Sequence, residues 1–279
     1  MIAAGQRVIP YRHGQRIRLY PIFDVHLGNR GCAEDSFRAH VSRLRRDRNG
    51  YWIGGGDYTD GINYTDKRFD PRALPEWMRP EDLADLPRVL FDYFAAIMEP
   101  VADRCLGACW GNHEFSMLRD CASWSRWAEL CKRVGAPNME VSGFRDVLFE
   151  DEDKRRTKLR ILIAHGGGWA QTAGAKTNRL RKMLDDFPGA HLALMGHLHD
   201  QIDTRKTGID ADEECRVITQ STRLAVMGGT WLRAYTQNFA GYAEIKQMSP
   251  VPLGNPVIEV EPETLAIQVG WPTRLAVAA

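Results

Sequence analysis

The chain has 279 residues, which suits one α/β domain with insertions, and its 44% hydrophobic content is enough for a sizeable core. Charged residues make up 26% and balance to a formal net charge of +1, which excludes a coat of basic charge for bulk nucleic-acid binding but not a local basic patch. No apolar run approaches the roughly 18 residues that span a bilayer. The first residues carry Arg7, Arg12, Arg16 and Arg18 and no apolar centre, which is the form of neither a secretory signal nor a transit peptide. A cytoplasmic protein with no membrane attachment is therefore expected. Cys32, Cys105, Cys109, Cys121, Cys131 and Cys215 form no CxxC pair, so free thiols are expected rather than a disulfide framework or zinc knuckle.

In chain order, IRLYPIF (17–23) reads as a strand ending at Asp24. Residues 34–48 place Phe37, Val41 and Leu44 at helical spacing, and YWIGGG (51–56) reads as the next strand. Together they form a βαβ unit, which predicts parallel neighbouring strands. The irregular segment 58–80 is too long and too polar for a simple connection, which marks a functional loop. A helix is expected over 81–104 with Leu83, Leu86, Leu90, Phe94 and Ile97 inward, its limits blurred by Pro87 and Pro100. CLGACW (105–110), LRILIAH (159–165) and HLALMGH (191–197) are further strands, and their continuous apolarity predicts cover on both faces. Beyond His199, CRVITQSTRLAVMG, YAEIKQ, PVIEVEP and TLAIQVG read as later, antiparallel strands. With no internal repeat and no linker, residues 1–279 are expected to form one domain, with an insertion over about 58–104.

The chemistry gathers where these strands end. Asp24 and His26 follow the first as DVH, and Asp57 follows the second in GGDYTDG. Asn112, His113 and Glu114 follow the third as GNHE, His165 the fourth in AHGGG, and His197 and His199 the fifth as GHLH. Ligands of open α/β sheets bind at the carboxyl ends of strands. One histidine there would mean little, but five successive strand ends delivering ligand types is a pattern. Imidazole with carboxylate and amide oxygen suits Mn, Fe, Zn, Co or Ni, and the lack of thiolate disfavours a structural zinc or iron–sulfur site. Asp24, His26, Asp57, Asn112, His165, His197 and His199 are too many for one open site; they suit two ions roughly 3.5–4 Å apart. Asp57, from the strand paired with the first, is the natural bridge.

The ordered set of Asp-x-His, Gly-Asp-x-x-Asp, Gly-Asn-His-Glu, His and Gly-His-x-His resembles the calcineurin-like metallophosphoesterase superfamily, over residues 24–199. The resemblance implies a four-layer αββα sandwich of mixed sheets with a di-metal site at the strand ends. It implies one ion held by Asp24, His26, Asp57 and His199, and a second by Asp57, Asn112, His165 and His197, with manganese the first expectation. His113 matches no metal ligand; the resemblance makes it the residue that protonates the leaving oxygen or steadies the transition state. A metal-activated hydroxide would attack phosphorus in line with the leaving group. Asp60, Glu114 and Asp200 are expected to orient histidines through carboxylate–imidazole hydrogen bonds. Arg68, Trp169, Lys176 and Arg179, on segments leaving the site, are expected to meet the substrate. The segment from Gly228 to Val260 resembles, more loosely, metallophosphoesterases of phages and prophages.

The leading reading is a hydrolase of a phosphodiester in DNA, RNA or a nucleotide. The alternative is a phosphomonoesterase, acting on a small molecule or a protein. A non-catalytic scaffold of the same fold is disfavoured because none of the eight motif residues is lost.

Overall fold

The computed structural model describes residues 1–212 and 214–272. In chain order its elements are β1 (Ile2–Pro10), β2 (Ile17–Ile22), α1 (Glu34–Arg46), β3 (Gly50–Gly55), α2 (Leu86–Met98), β4 (Cys105–Cys109), α3 (Asn112–Asp120), α4 (Trp124–Arg133), β5 (Ser142–Glu150) and β6 (Arg156–Ala164). There follow α5 (Ala173–Asp186), β7 (Leu192–Met195), β8 (Gln201–Ala211), β9 (Ile218–Gly228), α6 (Tyr242–Ile245), β10 (Val257–Glu261) and β11 (Ala266–Gly270). They build two sheets, of order β11-β10-β2-β3-β4 and β1-β5-β6-β7-β9-β8. As the βαβ pattern predicts, β2 and β3 are parallel neighbours, with Tyr20 opposite Trp52, and β4 continues the sheet in parallel.

Strand alternation sorts the side chains into layers. Ile17, Leu19 and Phe23 point inward and meet Ile161, Ile163, Leu194 and Val226 of the other sheet in one buried cluster. Tyr20 and Ile22 point the other way, against Phe37 and Leu44 of α1, Phe94 of α2 and Trp127 of α4. On the far side, Leu162, Ala193 and Ala225 are covered by Leu180 and Leu184 of α5. The fold is thus the four-layer αββα sandwich of two mixed sheets, and cover on both faces explains why the central strands read as continuous apolar runs.

Several elements depart from expectation. The helix expected over 81–104 is three pieces: a 3₁₀ turn Pro80–Asp85, then α2, then a 3₁₀ turn Glu99–Arg104. Pro87 lies in the first turn of α2, where its missing N–H costs nothing, and the Asp85 side chain caps that start by accepting from Arg88 N. Pro100 opens the last turn, and Val101 leaves helical geometry at φ −128°. YAEIKQ, expected as a strand, begins as the short helix α6; Ala, Glu, Lys and Gln are good helix formers, and no alternation opposes them. The later strands are only partly antiparallel: β9 pairs antiparallel with β8 but parallel with β7. The strands β1, β5 and β8 and the helices α3 and α4 were not anticipated from the sequence. All six cysteines are free, and no helix among the described residues is long and apolar enough to cross a membrane.

Candidate metal centre

Asp24 and His26 follow β2, Asp57 follows β3, Asn112 and His113 open α3 after β4, His165 follows β6, and His197 and His199 follow β7. The β2 and β3 loops continue side by side beyond their strands: Asp24 N donates to Gly56 O at 3.0 Å and His26 N to Asp57 O at 3.0 Å. Both sheets therefore contribute to one cluster at their carboxyl ends.

The backbone there is held out of its ordinary range. Asp24 (φ +49°), His26 (+55°), Asp57 (+52°), His197 (+68°) and His199 (+49°) all adopt the left-handed region. They are five of the twelve non-glycine residues that do so among the described residues, a concentration that ordinary turns do not produce. Such residues cost about 1–3 kcal/mol each and persist where the surroundings over-determine them. The surroundings here are close: Gly56 stands at φ +93°, and a side-chain carbon on Gly111 would strike the Asp57 carboxylate.

Ligating atoms converge in groups. One atom each from Asp24, His26 and His199 lie within 4.8 Å of one another, and so do one each from Asp57, His165 and His197. His26 Nε2 is 3.1 Å from His199 Nε2, which is itself 3.2 Å from Asp24 Oδ1. His165 Nε2 lies 3.2 Å from Asp57 Oδ2 and 3.0 Å from Asn112 Oδ1; His197 Nδ1 is 2.8 Å from that same amide oxygen. His197 Nε2 is turned away, 3.0 Å from Gly168 O, which leaves Nδ1 to face the cluster. Ring nitrogens aimed at each other and at carboxylates, all buried or half-buried, fit divalent cations well, since a cation between them satisfies every lone pair. Asp57 groups with His165 and His197 at this spacing, while its Oδ1 accepts from His113 N at 2.9 Å.

His113 stands beside these two groups and forms a third with His26 and Asp60, one atom of each lying within 4.8 Å of the others. Its Nδ1 is 2.6 Å from Asp60 O and 3.3 Å from Asp60 Oδ1, and its ring packs edge-on against His26 with centroids 4.7 Å apart. Burial pushes the imidazole pKa down, but Asp57 and Asp60 outweigh it and hold the pKa up at about 10. For Asp57, desolvation raises the pKa, and the His165 and His113 imidazoles override it, keeping the group well below the usual carboxylate range.

The three expected orienting carboxylates divide. Asp60 touches imidazoles: its Oδ1 is also 3.3 Å from His26 Nδ1, and its Oδ2 accepts from Asn29 Nδ2 at 2.9 Å. Glu114 corrects the expectation, for it meets no imidazole. Its two oxygens accept the backbone N–H groups of Asp57 (2.8 Å), Thr59 (3.0 Å) and Gly111 (2.8 Å), so it holds the loops rather than a ring. Asp200 likewise faces a cation, Lys176 Nζ at 2.9 Å, instead of a histidine. That pairing engages Lys176, which is buried, and Arg68 is engaged by Asp66 at 2.7 Å. Trp169 is exposed, and the Arg179 guanidinium lies against Gly168.

Sequence reasoning missed the supports behind the centre. Thr230 Oγ1 and Trp231 N both donate to Asp24 O at 2.9 Å. Buried Asn255 accepts from Phe23 N and Trp231 Nε1 and donates to Gly228 O, tying β2 to the end of β9. These polar residues lie in loops far along the chain, and no spacing in the sequence points to them.

Comparison with known proteins places the chain in its class: residues 24–201 match the family model of the calcineurin-like phosphoesterases, and the chain belongs to that family. Family membership implies metal-dependent hydrolysis of a phosphoester. No curated protein matches the sequence. Among solved structures, a Streptococcus pneumoniae protein described as a predicted phosphoesterase is 12% identical, over 88% of this chain and 84% of that one, with a TM-score of 0.33. A Thermotoga maritima protein is 13% identical over 92% and 99% of the two chains, TM-score 0.35. GAP50, the anchor in the inner membrane complex of Plasmodium, is 10% identical over 93% and 90%, TM-score 0.45.

Proposed function

We propose that the protein hydrolyses a phosphodiester, in a nucleic acid or a nucleotide, at two divalent cations held by Asp24, His26, Asp57, Asn112, His165, His197 and His199. Manganese is the first choice of metal. The reading treats both sheets as one catalytic domain, with residues 58–104 as its insertion, working in the cytoplasm. When bound, the cations supply Lewis-acid charge at the phosphoryl oxygens and a water ionised near neutral pH.

The observation that supports a diester is the setting of His113. With Nδ1–H fixed on Asp60 O, Nε2 is the ring nitrogen left to serve a leaving oxygen. A fixed proton donor matters most when the leaving group is a poor alkoxide, such as the sugar hydroxyl of a nucleotide diester. Asp60 holds that ring and His26 together, and Glu114 fixes the Asp57 loop to the start of α3, so the donor and the ligands share one rigid frame. Trp169 and Arg179 remain candidates for substrate contact beside the His197 loop.

The test is direct. Purified protein, assayed for bound metal, is given manganese with a chromogenic diester and with the matching monoester. The diester is expected to turn over faster. A preference for the monoester replaces this reading with phosphomonoesterase, and two bound metals with turnover of neither ester removes catalysis altogether.

A further inference from the structure

Helix α3 starts in the metal centre and runs out of it. Its inward face is Glu114, Met117 and Leu118, all buried. Residues three, four and seven positions apart share a face, so Asn112, Phe115 and Arg119 form one outward stripe. Asn112 lies at the centre, 3.0 Å from His165 Nε2. Phe115 is about 4.5 Å further along the axis and Arg119 about 10.5 Å. Phe115 is 41% exposed, and the Arg119 guanidinium stands over its ring, 5.8 Å from the centroid.

A second aromatic meets the first there. Trp124, at the start of α4, is 44% exposed and packs edge-on against Phe115 with centroids 5.6 Å apart. Behind it Trp110, which immediately precedes the GNHE segment, lies 5.7 Å from Trp124 and 5.8 Å from the buried Trp127. The result is an aromatic wall rooted in the core, whose last two rings open to solvent next to the catalytic helix. A contiguous exposed aromatic pair costs hydration that two core residues would not, and such patches mark binding surfaces.

We propose that Phe115 and Trp124 form a stacking ledge for a nucleobase adjoining the scissile phosphate, which makes the substrate a nucleotide diester with an unpaired base. The inference rests on the phosphodiester reading and deepens it. An unpaired base offers the flat π-face that Phe115 and Trp124 accept, while a paired base is enclosed in its own stack. Arg119, beyond Phe115, faces solvent even while its Nε bonds Asp120 Oδ1 at 2.8 Å, and it supplies positive charge where the next phosphate would run.

The experiment uses two p-nitrophenyl diesters, one of thymidine 5′-monophosphate and one of methyl phosphate, on wild type, Phe115→Ala, Trp124→Ala and Phe115→Tyr. Both alanine variants are expected to raise KM about tenfold for the base-bearing ester only, in line with loss of one base stack, with kcat unchanged. Phe115→Tyr keeps a stacking ring and should restore wild-type KM. Equal losses on both esters, or failure of Phe115→Tyr to restore KM, would make the rings structural and overturn the ledge. Affinity for a short single-stranded oligothymidine, measured in a chelator, separates the two readings. If wild type cleaves neither ester yet Phe115→Ala weakens oligothymidine binding, the diester reading falls and the ledge stands; cleavage of both with unchanged binding does the reverse. A duplex preferred over the single strand would also count against it.

Discussion

Asp57 and His113 are one hydrogen bond apart yet perform separable work. The Asp57 carboxylate lies against His165 and accepts the His113 backbone N–H, whereas the His113 ring is held by Asp60; in the proposed reading the first ligates metal and the second does not. Asp57→Ala should therefore lose bound metal and turnover together. His113→Ala should retain metal, read by elemental analysis, while its turnover falls about 10²–10⁴-fold, the usual worth of a positioned proton donor. Full activity in His113→Ala would remove it from that role. The residue types at this scale were legible because chemistry constrains them: the seven candidate ligands sit directly after strand ends, where spacing alone exposes them. Glu114 was not legible in its actual work, since a carboxylate three residues beyond a glycine reads the same whether it holds a ring or a backbone.

At the scale of elements, α1 carries a histidine whose work is unrelated to metal. His40 packs edge-on against Tyr20 of β2 and the Trp231 ring, centroids 5.3 and 5.4 Å away, and its Nε2 is sealed without a partner. Burial first, and then Arg43 one turn along α1, push its pKa from 6.5 down to about 4. The folded state keeps this imidazole neutral, while the unfolded chain takes up a proton below pH 6.5. Its contribution to stability is complete above pH 6.5, declines as pH falls from there, and levels off below about pH 4. Between pH 7 and pH 5 the wild type should lose about 2 kcal/mol more than His40→Phe in urea unfolding. Equal losses in the two proteins would show that His40 is ordinarily titratable when folded. The amphipathic spacing of Phe37, Val41 and Leu44 revealed α1, and the apolar runs revealed the central strands. The strands β1 and β8 escaped because they are largely exposed edge strands and β5 because Arg145 and Asp146 interrupt its apolar run, and YAEIKQ misled because its local helical preference prevails where no sheet partner competes.

Across the whole molecule, the candidate ligands are split between layers: Asp24, His26, Asp57 and Asn112 come from the five-stranded sheet, and His165, His197 and His199 from the six-stranded one. Cations bound there join the two sheets, and their binding energy adds to folding stability. At a hundredfold excess over Kd each site adds about 2.7 kcal/mol, so manganese should raise the melting temperature by several degrees and a chelator should reverse it. Asp57→Ala should abolish most of that shift; an unchanged shift in this variant would place the metal elsewhere.

The amino-acid sequence by itself determined the candidate ligand types, their order and the strands that deliver them, because a metal site needs particular donor atoms and a buried strand needs continuous apolar residues. Only the tertiary structure decided how those donors meet. The left-handed backbone at five of them, the clasp of Glu114 on two loops and the exposed Phe115–Trp124 pair all arise from contacts between segments far apart in the chain. Such contacts depend on how two sheets pack, and local sequence carries no record of that.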